Sequence, residues 1–586
     1  MKDFFKFMFA SMVGFILTTI IIFFLFFSFI MAMVSMTKTE EVVVNNNSVL
    51  HLKLDYDIPD RTPNTPFGIT SFGDFKPISG LDDILKAIKN AKEDSRVSGI
   101  YLDMSVIPSG FATVSEIREA LEDFKSSGKF IFAYGTIYGQ KAYYLATVAD
   151  KIFITREGMV DFHGLSSQTV FIKGLLDKLQ IDVQIIRHGK FKSAVEPLML
   201  NSMSDASREQ TQAFVSSIWN DALKLISESR NISIEKLNKI ADGLLAQTPE
   251  DAYNFGMVDS VVYKDEFLNI LAGKLDVSTV KIKNLISVNK YKNAKVKRRG
   301  KRSRNKIAVI YASGDIVQGE GDDGISSGRF ARTIRNARLD NSIKAIVLRV
   351  NSPGGDGTAS DIILREVNLA KKVKPVVVSM GNVAASGGYY ISCGADYIFA
   401  EPTTITGSIG VFGLIPNMQR FFNNKLGVTF DGVKTNENSD YMTVTKPLTS
   451  YQRNVIQTMV DRFYNTFITH VAKGRKMTTA DVDSIGQGRV WSGTDALSLG
   501  LVDELGSLNA AVNKAKELAE LEDYKITELP KLKDPWVQLM EDLMGETRQS
   551  MIKNELGEFY RYYGYIKTVK KMKGIQARMP YFIEMN

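Results

Sequence analysis

A single ungapped offset of 246 residues carries one half of this chain onto the other. "DSRVSGIYLD", from Asp94, falls on "DNSIKAIVLR", from Asp340, and "YGTIYGQKAYYLATVADKIF" (Tyr134 to Phe153) falls on "MGNVAASGGYYISCGADYIF" (Met380 to Phe399). Gly135, Tyr143, Tyr144, Ala149, Asp150, Ile152 and Phe153 all meet identical residues. Further on, "TPEDAYNFGMVD" parallels "SGTDALSLGLVD" with a small drift. Self-similarity of this kind marks a duplicated domain. A chain of 586 residues is also too long for one hydrophobic core.

Within each half the apolar runs are short and β-branched, as in "IAVIYASGDIV", "AIVLRV" and "PVVVSM", and they alternate with longer stretches of helical period. Strands alternating with helices imply βαβ units around a buried, largely parallel sheet. The expected fold class is therefore α/β, as two tandem αβ domains. "SYQRNVIQTMVDRFYNTFITHVAKGR", Ser450 to Arg475, reads as a long amphipathic helix behind the second core, with a first-half counterpart starting near Ala206.

Ahead of the duplication, Lys2 and Lys6 precede thirty uncharged residues, Phe7 to Met36. A helix of that length exceeds the roughly 30 Å hydrocarbon core of a bilayer. A cleaved signal peptide has a shorter apolar stretch and a small-residue cleavage site, which "MAMVSM" matches poorly. The expectation is an uncleaved signal-anchor transmembrane helix with Lys2 and Lys6 on the cytoplasmic side and everything after Thr37 outside the cytoplasm.

The formal net charge of +8 does not point to nucleic acid, because Lys290 to Lys306 alone holds ten Lys or Arg and no acid. That stretch reads as a solvated linker, with contact to anionic lipid headgroups as the alternative. The expected division is a cytoplasmic N-terminus and anchor (1–45), a first domain (46–285), a basic linker (286–306), a second domain (307–545) and a tail (546–586). The lone cysteine, Cys393, allows no intrachain disulfide and reads as a small buried apolar residue.

Ser386, in "GNVAASGGYYIS", follows a strand and opens a helix, where flanking amides are left unpaired. Gly387 and Gly388 let a substrate approach the backbone, and "VLRVNSPGGDG" ends another strand in Gly354 and Gly355. Amides at Gly354, Gly355 and Gly387 can form a pocket for a developing oxyanion, although such glycines also make ordinary turns.

A serine nucleophile needs a base. Of the four histidines, His51, His163, His188 and His470, only His470 lies in the same half, inside the long helix. The duplication offers a lysine instead. Ser386 corresponds to Gln140, so the first half holds no second copy of the nucleophile, while "RHGKFKSAVEP" places Lys192 opposite Ser439. Lysine is a general base only when neutral, which costs about 1.4 kcal/mol for each tenfold change in proton affinity from its usual pKa of about 10.4. Desolvation in an apolar pocket can supply this. On the residues alone, a surface charge remains the competing reading of Lys192.

With "NSPGG", "NVAASGGYYIS" and "TGSIGVFG", the second half resembles the serine peptidases of the signal peptide peptidase A (protease IV) family. With "KFKSAVEP", the first half resembles that family's long form, in which two crotonase-like or ClpP-like domains are fused. The resemblance covers nearly the whole chain. It implies a Ser/Lys dyad with Ser386 as nucleophile and Lys192 as general base, Ser408 of "TGSIG" orienting the lysine amine, and Gly354 and Gly387 donating to the oxyanion.

It also implies a homotetramer on the bacterial inner membrane, catalytic domains on the periplasmic side, which degrades signal peptides and other apolar peptides. No cofactor, metal or nucleic acid is implied. The tail from about Gly545, with "GEFYRYYGYIKTVKKMKG", departs from the family pattern and suits a membrane surface or a subunit contact. Two rival readings are a crotonase-type acyl-CoA enzyme, which a signal anchor would put where that cofactor is not expected, and a non-catalytic scaffold in which Ser386 only caps a helix.

Overall fold

The computed structural model describes residues 2–37, 43–64, 78–278, 284–294, 303–322, 324–533, 575–579 and 584–585. The stretch "GEFYRYYGYIKTVKKMKG" and the centre of the basic segment, 295–302, lie outside the described residues.

The first half is built on a six-stranded sheet, and the second on an eight-stranded sheet that repeats its order. In the first half the order is Ser260–Val261, Lys151–Val160, Phe130–Tyr138, Val97–Asp103, Ser48–Lys53 and Leu285–Ser287, with every pair parallel. In the second half Glu504–Leu505, Tyr397–Ala400, Val376–Ala385, Ile343–Ser352, Lys306–Ser313 and Lys525–Leu529 repeat that parallel core. Val490–Ser492 adds the one antiparallel edge, against Ile405–Gly407. The central strands are buried on both faces, which is why they read as continuous apolar runs.

The duplication extends to individual hydrogen bonds. Tyr143 donates its hydroxyl to the Met257 carbonyl at 3.0 Å, and Tyr389 donates to the Leu501 carbonyl at 2.8 Å. Asp259 accepts from the Ile152 amide and Asp503 from the Ile398 amide, both at 2.8 Å. The long helices match as well: Asp205–Arg230 and Ser450–Arg475 each span 26 residues. Ser204 and Thr449 cap their N-termini by accepting a backbone N–H. Arg230 and Arg475, at their C-terminal ends, reach Asp259 and Asp503.

A third sheet belongs to both halves. Its order is Ile325–Ser326, Ile316–Val317, Gly354–Asp356, Ile575–Arg578, Val411–Asn417 and Asp182–His188. Asp182–His188 comes from the first half and pairs antiparallel with Val411–Asn417 along its whole length.

A buried ion cluster also ties the halves together. Arg349, fully buried, donates to Asp60 at 2.9 Å and to Glu116 at 2.5 Å, both from the first half. Glu116 in turn accepts from the Leu508 amide. The position equivalent to Arg349 in the first half is Asp103, which bonds His51 instead. The repeated framework thus carries different charges in its two copies. At the N-terminus the helix Lys2–Thr37 contains an exposed apolar stretch, Asp3–Ser28, long enough to cross a membrane.

Candidate active site

The strand Val376–Ala385 ends at Ser386, whose backbone (φ 55°, ψ −112°) turns the chain sharply into the helix Gly387–Ser392. A side-chain-bearing residue in that region costs on the order of 1–3 kcal/mol. Two hydrogen bonds hold it there: the Ser386 amide donates to Gly407 O and its carbonyl accepts from Tyr390 N, both at 2.8 Å. The glycines that follow are required by packing. A Cβ on Gly388 would lie 2.6 Å from the Ser352 carbonyl oxygen, and one on Gly387 would lie 2.8 Å from Ser360 Oγ.

Lys192 reaches this point along the shared sheet. After Asp182–His188 the chain turns at Gly189 (φ 104°), and the Phe191 amide donates to Gln487 O at 2.8 Å. Lys192 then enters the second half fully buried. Its Nζ lies 2.8 Å from Ser386 Oγ and 3.1 Å from both the carbonyl and the hydroxyl oxygen of Ser408. All three partners are uncharged, and burial holds the amine well below the usual lysine range.

Three neighbours of Lys192 were not anticipated from sequence. Gly488 (φ 82°) backs onto its main chain, where a Cβ would lie 2.6 Å from the Lys192 amide nitrogen. Gly410 lines the stem, with Lys192 Cδ 3.1 Å from where its Cβ would stand. Gln210 donates to Phe191 O and Ser193 Oγ while accepting from the Val490 amide, clamping the lysine segment to the second half. The glycines of "GQGRV" and "TGSIGVFG" are the trace of this in the sequence, and their meaning depends on a partner more than two hundred residues away.

The other expected residues are close by or accounted for. Ser408 (φ 50°) is held by its amide on Arg489 O. Gly354 and Gly355 form a strand beside Ser386; the Gly354 N–H donates to Ser352 Oγ at 3.1 Å. Ser439, opposite Lys192 in the repeat alignment, sits in an exposed turn bonded to Asn436. Gln140, opposite Ser386, bonds both the amide and the carbonyl of Gly164, so the first half's equivalent position is closed by its own loop. His470 pairs with Asp361, and Cys393 is fully buried.

The described part of the tail is at this site too. Ile575–Arg578 lies antiparallel between Gly354–Asp356 and Val411–Asn417, with Ala577 opposite Gly355. The Ala577 carbonyl oxygen lies 2.2 Å from where a Cβ on Gly354 would stand and 3.0 Å from the Cβ position of Gly387.

Comparison with known proteins agrees with the duplicated fold. "Peptidase family S49" matches twice, over residues 123–278 and 368–522. "Protease 4" of Haemophilus influenzae is 38% identical over 487 residues, covering 80% of this chain and 78% of that protein. "Protease 4" of Salmonella typhi is 40% identical over 458 residues, covering 76% and 73%. "Serine protease SPPA, chloroplastic" of Arabidopsis thaliana is 30% identical over 543 residues, covering 92% and 78%. With a duplicated αβ core, two matched segments and relatives of this extent, the chain belongs to peptidase family S49 and is a serine peptidase.

Proposed function

We propose that the protein is a membrane-anchored endopeptidase that degrades signal peptides through a Ser386/Lys192 dyad and an acyl-enzyme. The observation that carries this reading is the 2.8 Å approach of Lys192 Nζ to Ser386 Oγ, in a pocket where the lysine's hydrogen-bond partners are all neutral oxygens. In this reading residues 46–285 supply the lysine and 307–545 the serine.

A neutral lysine amine has two N–H donors and one lone pair. The carbonyl and hydroxyl of Ser408 take the donors, leaving the lone pair for the Ser386 hydroxyl proton. Ser386 Oγ attacks the scissile carbonyl as Lys192 takes its proton, and the resulting oxyanion is held by backbone amides. Because the Gly354 amide is directed at Ser352 Oγ, Gly355 and Gly387 are the donors, and Gly354 shapes the turn. The Lys192 ammonium then protonates the leaving amine, and Lys192 activates the water that hydrolyses the ester.

The slot between Gly354–Asp356 and Val411–Asn417 takes an extended chain by main-chain pairing, which suits a peptide better than a coenzyme A thioester. A scaffold in which Ser386 only caps a helix gives no reason to bury a lysine against it. The signal-peptide substrate, the homotetramer and the inner-membrane, periplasmic placement rest on the family resemblance. The exposed apolar helix and its flanking Lys2 and Lys6 support the last of these.

Two variants, Ser386→Ala and Lys192→Ala, test the dyad on a leucine-rich signal peptide. Both are expected to lose cleavage, and normal activity in either removes the proposal. Labelling of Ser386 by a serine-directed covalent inhibitor, lost in Lys192→Ala, is the matching direct readout.

A further inference from the structure

The duplication supplies an internal control for a cleft of about 760 Å³ on the second half. Its walls come from the helices Gly357–Lys371 and Ser450–Arg475, beside the end of Gly387–Ser392, the helix that Ser386 opens. Gly394 and Gly474 give it a floor without side chains, and a Cβ on Gly474 would lie 1.9 Å from the Cys393 carbonyl oxygen. A volume of this size is in the range of sites that hold a small molecule.

The matching region of the first half is plugged. Arg118 is buried there, and its guanidinium donates to Tyr144 O at 2.6 Å, Thr147 Oγ1 at 2.8 Å and Ser229 Oγ at 2.5 Å, with Glu122 3.2 Å away. In the second half the residue equivalent to Arg118 is Leu364, and Gly474 takes the place of Ser229. With the plug and one of its acceptors gone, the space stands open.

Charge changes with the space. Glu119, Glu122, Asp221 and Glu228 of the first half become Arg365, Asn368, Thr466 and Lys473, and Ser126 becomes Lys372. One carboxylate is gained, Asp361, and one is kept, Asp396, but both are already engaged. Asp361 accepts from the Tyr390 hydroxyl at 2.8 Å and lies 3.4 Å from His470, while Asp396 accepts from the Val376 amide and pairs with Lys371. Arg365, Lys372 and Lys473 are exposed and, among the described residues, have no acidic partner.

A lysine in the last turn of a helix offsets the macrodipole, which accounts for Lys371, equivalent to Lys125 in the first half. It does not account for Lys473, because the same turn of Asp205–Arg230 carries Glu228.

We infer that this cleft is a binding site for a phosphate-bearing anion, held by Arg365, Lys372 and Lys473. Arg365 offers a planar fork that pairs with two phosphate oxygens, and the lysines act as point charges beside it. A soluble phosphate and the phosphodiester headgroup of an anionic lipid present the same oxygens to these three side chains. Neither Ser386 nor Lys192 lines the cleft, so the site stands whether or not the dyad does.

The test is calorimetric titration of residues 1–586, purified in a neutral detergent, with inorganic pyrophosphate and, separately, with glycerophosphoglycerol, the water-soluble headgroup of an anionic lipid. The wild-type protein is expected to bind at least one of them, more weakly as salt is raised. The variant Arg365→Glu/Lys372→Ser/Lys473→Glu takes the residue types that the first half carries at these positions. It is expected to lose at least about tenfold in affinity while still cutting the leucine-rich signal peptide. Arg298→Ser/Arg299→Ser, which removes two charges of the basic linker, is expected to bind as the wild type does.

Binding of pyrophosphate alone assigns the cleft to soluble phosphates, whereas equal or tighter binding of glycerophosphoglycerol assigns it to lipid headgroups. Should the triple variant fail to unfold cooperatively, Arg365→Glu alone, at an exposed helix position, carries the same comparison. Absence of binding by both probes would overturn the site. Undiminished binding by the cleft variant, or loss of binding in the linker variant, would overturn it as well.

Discussion

Lys192 Nζ lies 2.8 Å from Ser386 Oγ across 194 residues of chain, and neither side chain reaches solvent. Burial lowers the lysine's proton affinity, and its pH consequence has a definite sign. Below its depressed pKa the amine is charged and cannot accept the serine proton; above it the amine is free. The logarithm of kcat/KM should therefore rise with pH along an acid limb set by Lys192 and reach its plateau well below the ordinary lysine range of about 10.4. Lys192→Arg should be inactive at every pH, because guanidinium does not deprotonate. An unchanged acid limb in Ser408→Ala, combined with full activity, would remove Ser408 from its positioning role.

Gly488→Ala places a methyl against the Lys192 main chain, at a backbone φ of 82° that side chains rarely adopt. The expected result is a folded protein destabilised by about 1–3 kcal/mol, with kcat reduced at least about tenfold because the lysine is displaced. Thermal unfolding and steady-state kinetics on one preparation measure both effects.

Arg349→Met leaves Asp60 and Glu116 buried without their cation. Breaking a buried pair from one side costs about 3–5 kcal/mol. Because Arg349 lies in the second half and both its acids in the first, the loss should also loosen the docking that brings Lys192 to Ser386. Chemical denaturation should show the stability drop, and activity should fall with it. Wild-type stability in the variant would show that the cluster does not hold the halves together.

Glu401 is buried, and one of its carboxylate oxygens has no hydrogen-bond partner. Desolvation, then the nearby Glu116 and Glu119, push its carboxyl well above the usual range. The native state thus keeps a proton that the unfolded chain releases near pH 4.5, so stability falls as pH rises from there through the folded pKa. Glu401→Gln should remove that slope and raise the melting temperature at neutral pH. Melting curves at several pH values check both.

Much of the framework could be read from the repeat. The αβ class, the parallel core and the helix Ser450–Arg475 follow from periodicity and one offset, because local pattern and repeated residues record packing that occurs within each half. The contrast of Ser386 with Gln140 directed attention to a lysine in the other half. What could not be read depends on contacts between halves. The shared sheet joins Asp182–His188 to Val411–Asn417, strands with no neighbour in sequence to announce their pairing. Gly488 gains its meaning only against Lys192, and Arg349 only against Asp60 and Glu116. The tail strand Ile575–Arg578 is too short for periodicity to identify, and its place is set by the slot it fills.

The antiparallel pairing of Asp182–His188 with Val411–Asn417 also fixes when the centre can come into being. Ribosomes make the lysine first, and its strand has no edge to join until the chain has been extended past Asn417. During that interval no strand of the second half holds the lysine against the serine. On the proposed dyad, a half-made polypeptide lacks a paired base and nucleophile, and translation itself provides the delay.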